Sequence, residues 1–227
     1  MSVAFPTTAS DFSTVASTAT IILNKPANTA DGDVLIAVIS NRSGLVTTAP
    51  GGWTKLVEFS SNGDWAVYVL SVPTASSLAS SWEWDVATAR ATGILFRVTG
   101  CNVTSPISQT GTPITAGSDN GANPVPMTIP GVTAQGGFVA MAGTYWAETV
   151  PTADLVPGAS LIATATTPSA GAGRSALGVY GGVATGATGD ITINSDWAVS
   201  GQDGVLIGLQ SLAAPASPNV LMATGLL

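Results

Sequence analysis

Residues 26–39 read Pro-Ala-Asn-Thr-Ala-Asp-Gly-Asp-Val-Leu-Ile-Ala-Val-Ile, a polar turn that empties into an uninterrupted apolar run. A strand with no polar residue over 34–39 needs cover on both faces, from an opposing sheet and from a second layer, a loop or a neighbouring subunit. The same device returns at residues 130–142, Pro-Gly-Val-Thr-Ala-Gln-Gly-Gly-Phe-Val-Ala-Met-Ala. Pro26 aligns with Pro130, Thr29-Ala30 with Thr133-Ala134, and Gly32 with Gly136. The chain is therefore expected to hold an internal two-fold repeat, and the segments on either side of each copy can be laid in parallel.

Ahead of the first copy, residues 20–23 are β-branched and apolar and predict a strand. Behind it, Pro50-Gly51-Gly52 ends a loop and residues 53–58 alternate. The period of two sets Trp53, Lys55 and Val57 on one face and Thr54, Leu56 and Glu58 on the other. Asn62-Gly63 is a hairpin dipeptide. Residues 65–72 follow as a Val/Tyr/Trp strand, residues 81–86 place Trp82, Trp84 and Val86 opposite Glu83 and Asp85, and residues 93–99 align Ile94, Phe96 and Val98. The second half repeats this order at 127–129, 138–142, 157–162, 176–180, 191–194 and 204–209, with the tryptophan of the Gly-Gly-Trp loop lost.

Gly/Pro/Ser-rich connections and the absence of any helical period long enough for a crossover predict an all-β, antiparallel β-sandwich of jelly-roll type. One merged sandwich over 20–212, with halves at about 20–100 and 125–212 and an approximate internal two-fold, is preferred to two thin ones that would each expose two edges. Residues 1–19 read as an arm, residues 101–126 as a link, and residues 213–227 as an apolar tail.

The composition narrows function. Charged residues are 8% of the 227 and hydrophobic ones 45%, so the chain is neither disordered nor a long-helix protein. Sparse charge favours an assembly subunit over a freely diffusing enzyme. The net charge is −7 and the six basic residues are scattered, which argues against nucleic acid and anionic membrane as partners. With no His and a single Cys, the usual zinc and triad arrangements have no ligands or base, and no metal or cofactor is expected. The run 34–39 is far shorter than the roughly 20 residues that span a bilayer. No basic stretch opens the chain, so synthesis in a cytoplasm without a secretory signal is expected.

The run Pro-Ala-x-Thr-x-x-Gly-Asp-Val-Leu-Ile-Ala, then Ala-Pro-Gly-Gly-Trp-Thr, a Trp/Tyr strand, a Trp-rich strand and Phe-x-Val-x-Gly resembles jelly-roll modules of tailed-bacteriophage virion proteins, of the minor-tail or head-associated type. The resemblance covers 20–100 well and the second half through Leu212 more loosely. It implies a non-enzymatic virion component made in the host cytoplasm. A surface-displayed minor tail or tail-tip protein contributing to host attachment is the first expectation, and a capsid decoration protein the second. A carbohydrate-binding or carbohydrate-cleaving sandwich is the alternative from another class. Expected partners are other virion proteins, further copies of this chain (as a trimer) and a host-surface glycan.

Four constellations bear on chemistry. Glu83 and Asp85 share a strand face beside two tryptophans, as paired glycosidase carboxylates do, but a Glu-x-Asp-x-x-Glu pattern would need an acid where Thr88 stands. They read as solvated carboxylates, and no catalytic residue is assigned. Asp31-Gly32-Asp33 is too poor in oxygen ligands for calcium and reads as a turn. Gly171-Ala172-Gly173-Arg174-Ser175-Ala176 fits a dinucleotide fingerprint in form but precedes a strand, so it is rejected. Cys101 reads as an inert, half-buried thiol. Most tryptophans fall in strand patterns and read as core, whereas Tyr145 and Trp146 are candidates for a glycan contact. The tail residues Val220, Leu221, Met222, Leu226 and Leu227 are candidates for docking on a partner, since Pro215 and Pro218 direct them away from the sandwich.

Overall fold

The computed structural model describes residues 2–8, 12–17, 20–41, 46–59, 64–86, 91–117, 125–145, 152–154, 159–166, 175–195 and 201–212. Its first half comprises β1 (Phe12–Ser17), β2 (Thr20–Asn24), β3 (Val34–Asn41), β4 (Val46–Thr48), β5 (Thr54–Phe59), β6 (Asp64–Ser71), β7 (Ser81–Val86) and β8 (Ala91–Val98). The second half comprises β9 (Ile107–Thr110), β10 (Ile114–Gly117), β11 (Val125–Ile129), β12 (Thr133–Tyr145), β13 (Thr152–Asp154), β14 (Ala159–Thr166), β15 (Ser175–Gly182), β16 (Thr185–Ala187), β17 (Ile191–Ser195) and β18 (Gly201–Gln210). All pairings between these strands are antiparallel. The chain is an all-β sandwich.

The strand orders are β1-β8-β3-β6-β5 and β2-β7-β4 in the first half, and β10-β18-β12-β15-β14 and β11-β17-β13 in the second. Each order in one half has its counterpart in the other, strand for strand. The correspondence extends to single pairs. Ala37 faces Tyr68 across β3 and β6, and Ala140 faces Tyr180 across β12 and β15. Gly32 N–H donates to Val72 O at 2.8 Å, and Gly136 N–H donates to Ala184 O at 2.9 Å, both glycines having positive φ (88° and 145°). A left-handed or extended positive-φ backbone is costly for residues with a Cβ, so glycine is needed at both turns. Gln135 and Gly136 both stand opposite Gln210, so β12 carries a bulge at this turn.

Three apolar clusters follow from this layout. Leu35, Ala37 and Ile39 of β3 point toward β2 and β7, where Ile21, Leu23, Trp82 and Trp84 close the first half's own core. Phe138, Ala140 and Ala142 of β12 meet Met127, Ile129, Ile191 and Ile193 in the matching core of the second half. The largest cluster lies between the two big sheets. There Val34, Ile36, Val38, Ile94 and Phe96 pack with Val139, Met141, Val179, Val205 and Ile207. The second cover of the 34–39 run is thus the other half of the same chain, in place of a loop or a neighbouring subunit. Both halves share this central core, and each also has a smaller apolar cluster of its own.

Residues 1–19 and 101–126, expected as arm and link, supply corresponding edge strands. β1 pairs with β8, while β9 and β10 pair with β18. Val3 is buried in the central core and Ala4 bridges Thr99. Where the first half ends, Cys101 bridges Ser211 and Leu212 N–H donates to Gly100 O at 2.8 Å, so the last strands of the two halves are clamped to each other.

A second difference concerns β5. A bulge between Lys55 and Val57 breaks the alternation expected there. Trp53 therefore enters the first half's own core while Val57 and Phe59 enter the central one. An extra residue in one strand switches every later side chain to the other face.

Two glycines record how closely the layers approach. A Cβ on Gly93 would lie 2.8 Å from Ile21 Cγ2, and one on Gly204 would lie 2.6 Å from Met127 Cε and closer still to Ile129 Cδ1. Overpacking of this kind costs about 1–3 kcal/mol. Gly93→Ala and Gly204→Ala are each expected to lower the unfolding free energy read from a urea titration by that amount. Gly51→Ala, whose Cβ would meet nothing within 4 Å, should stay within about 0.5 kcal/mol of the parent.

Candidate functional site

Strand β7 alternates as its sequence predicts. Trp82 and Trp84 are buried and Glu83 and Asp85 are exposed. The two carboxylates lie on the outer face of the β2-β7-β4 sheet, where Glu83 is opposite the exposed Ile22 and Asp85 opposite Thr20.

Beneath that face the aromatics form a packed cluster. Trp53 stands edge-on to Trp82 at 5.4 Å and to Trp84 at 5.3 Å, and Tyr68 is tilted against Trp84 at 6.3 Å. Phe59 stacks on Trp65 at 4.1 Å in the central core. These geometries contribute about 0.5–1.5 kcal/mol per pair beyond area burial. All four tryptophans are buried, so none offers a sugar-stacking surface. The phenol of Tyr68 is pushed up to about 12 by burial and then by the Glu58 carboxylate.

The Asp31-Gly32-Asp33 stretch is a turn held by its own carboxylates. Asp31 Oδ1 accepts from Ala75 N–H at 2.7 Å, and Asp33 Oδ2 accepts from Ala30 N–H at 2.8 Å. Asp33 is nearly fully buried and pairs with Arg97 of β8 at 3.3 Å. These oxygens tie the β2–β3 turn to the sheet. Among the described residues no three His, Cys, Asp or Glu side chains come together as a metal site. Arg97 also borders a cleft of about 100 Å³ with residues 4–7.

A second concavity is a groove of about 460 Å³, with Gly52 just before β5 and Thr54 at its start, Leu70 and Ser71 at the end of β6, and Thr104 and Pro106 of the connecting stretch. Its size suits a small ligand. Its walls carry hydroxyls and aliphatic carbon, with no ionisable and no aromatic side chain. The groove can hydrogen-bond a neutral group but has no proton to move near neutral pH and no ring to stack on a sugar. It escapes a reading of the sequence because its walls come from three separated stretches. Asp203 escaped too. It stands fully buried on β18 in register with Thr115 and Gly143, in a stretch that precedes the strand start expected at 204.

Cys101 is buried where the ends of the two halves meet, and its thiol is pushed up to about 12 by burial and then by Asp33. Tyr145 ends β12, but its side chain, Trp146, the 171–174 part of the glycine-rich motif, and Val220, Leu221, Met222, Leu226 and Leu227 lie outside the described residues. No family model, no curated protein and no solved structure matches this chain.

Two outcomes are expected. Trp53→Ala should cost about 3–5 kcal/mol in denaturant unfolding, as large core truncations do, whereas Glu83→Gln and Asp85→Asn should stay within about 0.5 kcal/mol. For Cys101 the folded thiol titrates well above its ordinary 9.0, so the unfolded chain loses the proton first. The stability this gives is full below 9.0 and fades as pH rises toward about 12. Cys101→Ser should flatten that part of a stability-against-pH curve, and the native thiol should resist a disulfide reagent at pH 8 until denaturant is added.

Proposed function

We propose that this chain is a non-enzymatic structural subunit of a tailed-phage virion, displayed on the particle surface at a tail-tip position, and built of two jelly-roll units fused back to back. The observation that carries this reading is the strand order. With the extra strands β9 and β16 of the second half set aside, the first, eighth, third and sixth strands of each half form one sheet and the second, seventh and fourth another, a winding typical of the double-sheet jelly rolls common in viral shells. In both halves the fifth-position strand joins the larger sheet.

Three further features support it. The central core ties both units into one body. The carboxylates that are well held, Asp31, Asp33 and Asp190, accept from backbone N–H groups at turns, so charge serves architecture. The resemblance carried by the Gly-Asp-Val-Leu-Ile-Ala and Gly-Gly-Trp motifs points the same way. Capsid decoration is the neighbouring reading.

The test is immunogold electron microscopy of phage particles from the source culture, with antibody raised against the purified chain. Label at the tail tip is expected. Label on the head would transfer the protein to capsid decoration, and antigen found only in the particle-free supernatant would overturn the virion reading altogether.

A further inference from the structure

The two halves allow each surface position to be compared with its counterpart in the same chain. Strands β5 and β14 end corresponding sides of the two large sheets, each hydrogen-bonded on one side only, as β1 and β10 end the other sides, and β14 also lies against β1 of the first half. Both β5 and β14 carry a bulge at the same place. Lys55 faces Tyr68 and the next residue is skipped, just as Leu161 faces Tyr180 and the next residue is skipped. The bulges therefore do not distinguish the edges, but the side chains do. Lys55 is an exposed cation held to Glu58 at 2.6 Å, and charges of this kind on an edge strand discourage pairing with another chain. Its counterpart Leu161 is 52% exposed. Past the end of the neighbouring strand, Ser71 of the first half corresponds to Val183, which is 58% exposed. Two positions that are polar in one half are apolar and open to water in the other.

Strand β14 reads Ala-Ser-Leu-Ile-Ala-Thr-Ala-Thr and its neighbour β15 reads Ser-Ala-Leu-Gly-Val-Tyr-Gly-Gly, with no charge in either. We infer that the β14 edge is an interaction surface, and that its occupant is the same edge of a second copy of this chain, paired antiparallel about a two-fold axis. The charge distribution selects that occupant. Copies of a chain with net charge −7 repel over most of their surface. An uncharged edge laid against itself brings no like charges together. The other exposed aliphatic in a strand, Ile22, is ruled out for self-pairing because Glu83 and Asp85 stand on the adjacent strand. Pairing through β14 extends each large sheet across the axis and covers Leu161. It yields a two-fold dimer where the sequence led to the expectation of a trimer, and it stands independently of the virion reading.

The experiment is sedimentation equilibrium of the full chain over a micromolar concentration series, beside the variant Leu161→Lys, which installs the first half's residue at that edge position. The parent is expected to double its mass with concentration, and the variant to stay at monomer mass with an unchanged denaturant midpoint. Hydrogen exchange on the parent gives a reading that does not depend on the variant's folding, since amides of Ala159–Thr166 should slow as concentration rises. A parent that remains monomeric throughout, as it would if residues 213–227 of its own chain covered the edge, overturns the proposal. So does a folded variant that dimerises as before, or exchange at β14 that ignores concentration.

Discussion

Burial of both faces of strand β3 is the constraint on which the rest of the structure depends. Leu35, Ala37 and Ile39 seal the first half's own core, and Val34, Ile36 and Val38 face the second half. Burying one such side chain contributes about 1.5–3 kcal/mol, so the six aliphatic and aromatic side chains Val34, Ile36, Val38, Ile94, Phe96 and Val98 would forfeit roughly 9–18 kcal/mol if the first half stood alone. A typical domain has about 5–15 kcal/mol of stability in total. The halves therefore depend on each other, although each has the strand order of a complete sandwich. The clamp of Cys101 on Ser211 and the passage of Val3 into the central core follow from the same need.

The division of labour between the halves is uneven. The first half fills its own core with Trp53, Trp82, Trp84 and Tyr68, and the second places Ile191, Ile193 and Tyr180 at the corresponding positions with Ala159 at the mouth. Its surface is also the less guarded, since Leu161 replaces Lys55 at the matching edge.

Much of this was legible in the sequence, for reasons that can be named. The run 34–39 announces a strand buried on both faces, and β7 announces one buried on a single face, because a period of two separates Trp82 and Trp84 from Glu83 and Asp85. The repeated Pro-x-x-Thr-Ala-x-Gly precedes β3 in one half and runs into β12 in the other. What stayed hidden had no periodic signal. Edge strands β1, β9 and β10 are rich in Ser, Thr and Gly, and such strands pack one face weakly and show no alternation. The bulge in β5 leaves no mark in the residue pattern, so Trp53 and Val57 read as neighbours on one face while the fold sends them to different cores. The groove beside Thr54 and Thr104 is assembled from distant stretches, and nothing local foretells it.

Native-state hydrogen exchange across a urea series tests the mutual dependence of the halves most directly, by following amides of β3 and β12 in the same sample. If the central core unites the two sandwiches, the exchange free energies of both strands converge on one value and fall together with the global unfolding line. Exchange of β12 through a separate opening of lower free energy, with β3 still protected, would show two independent sandwiches and contradict the account.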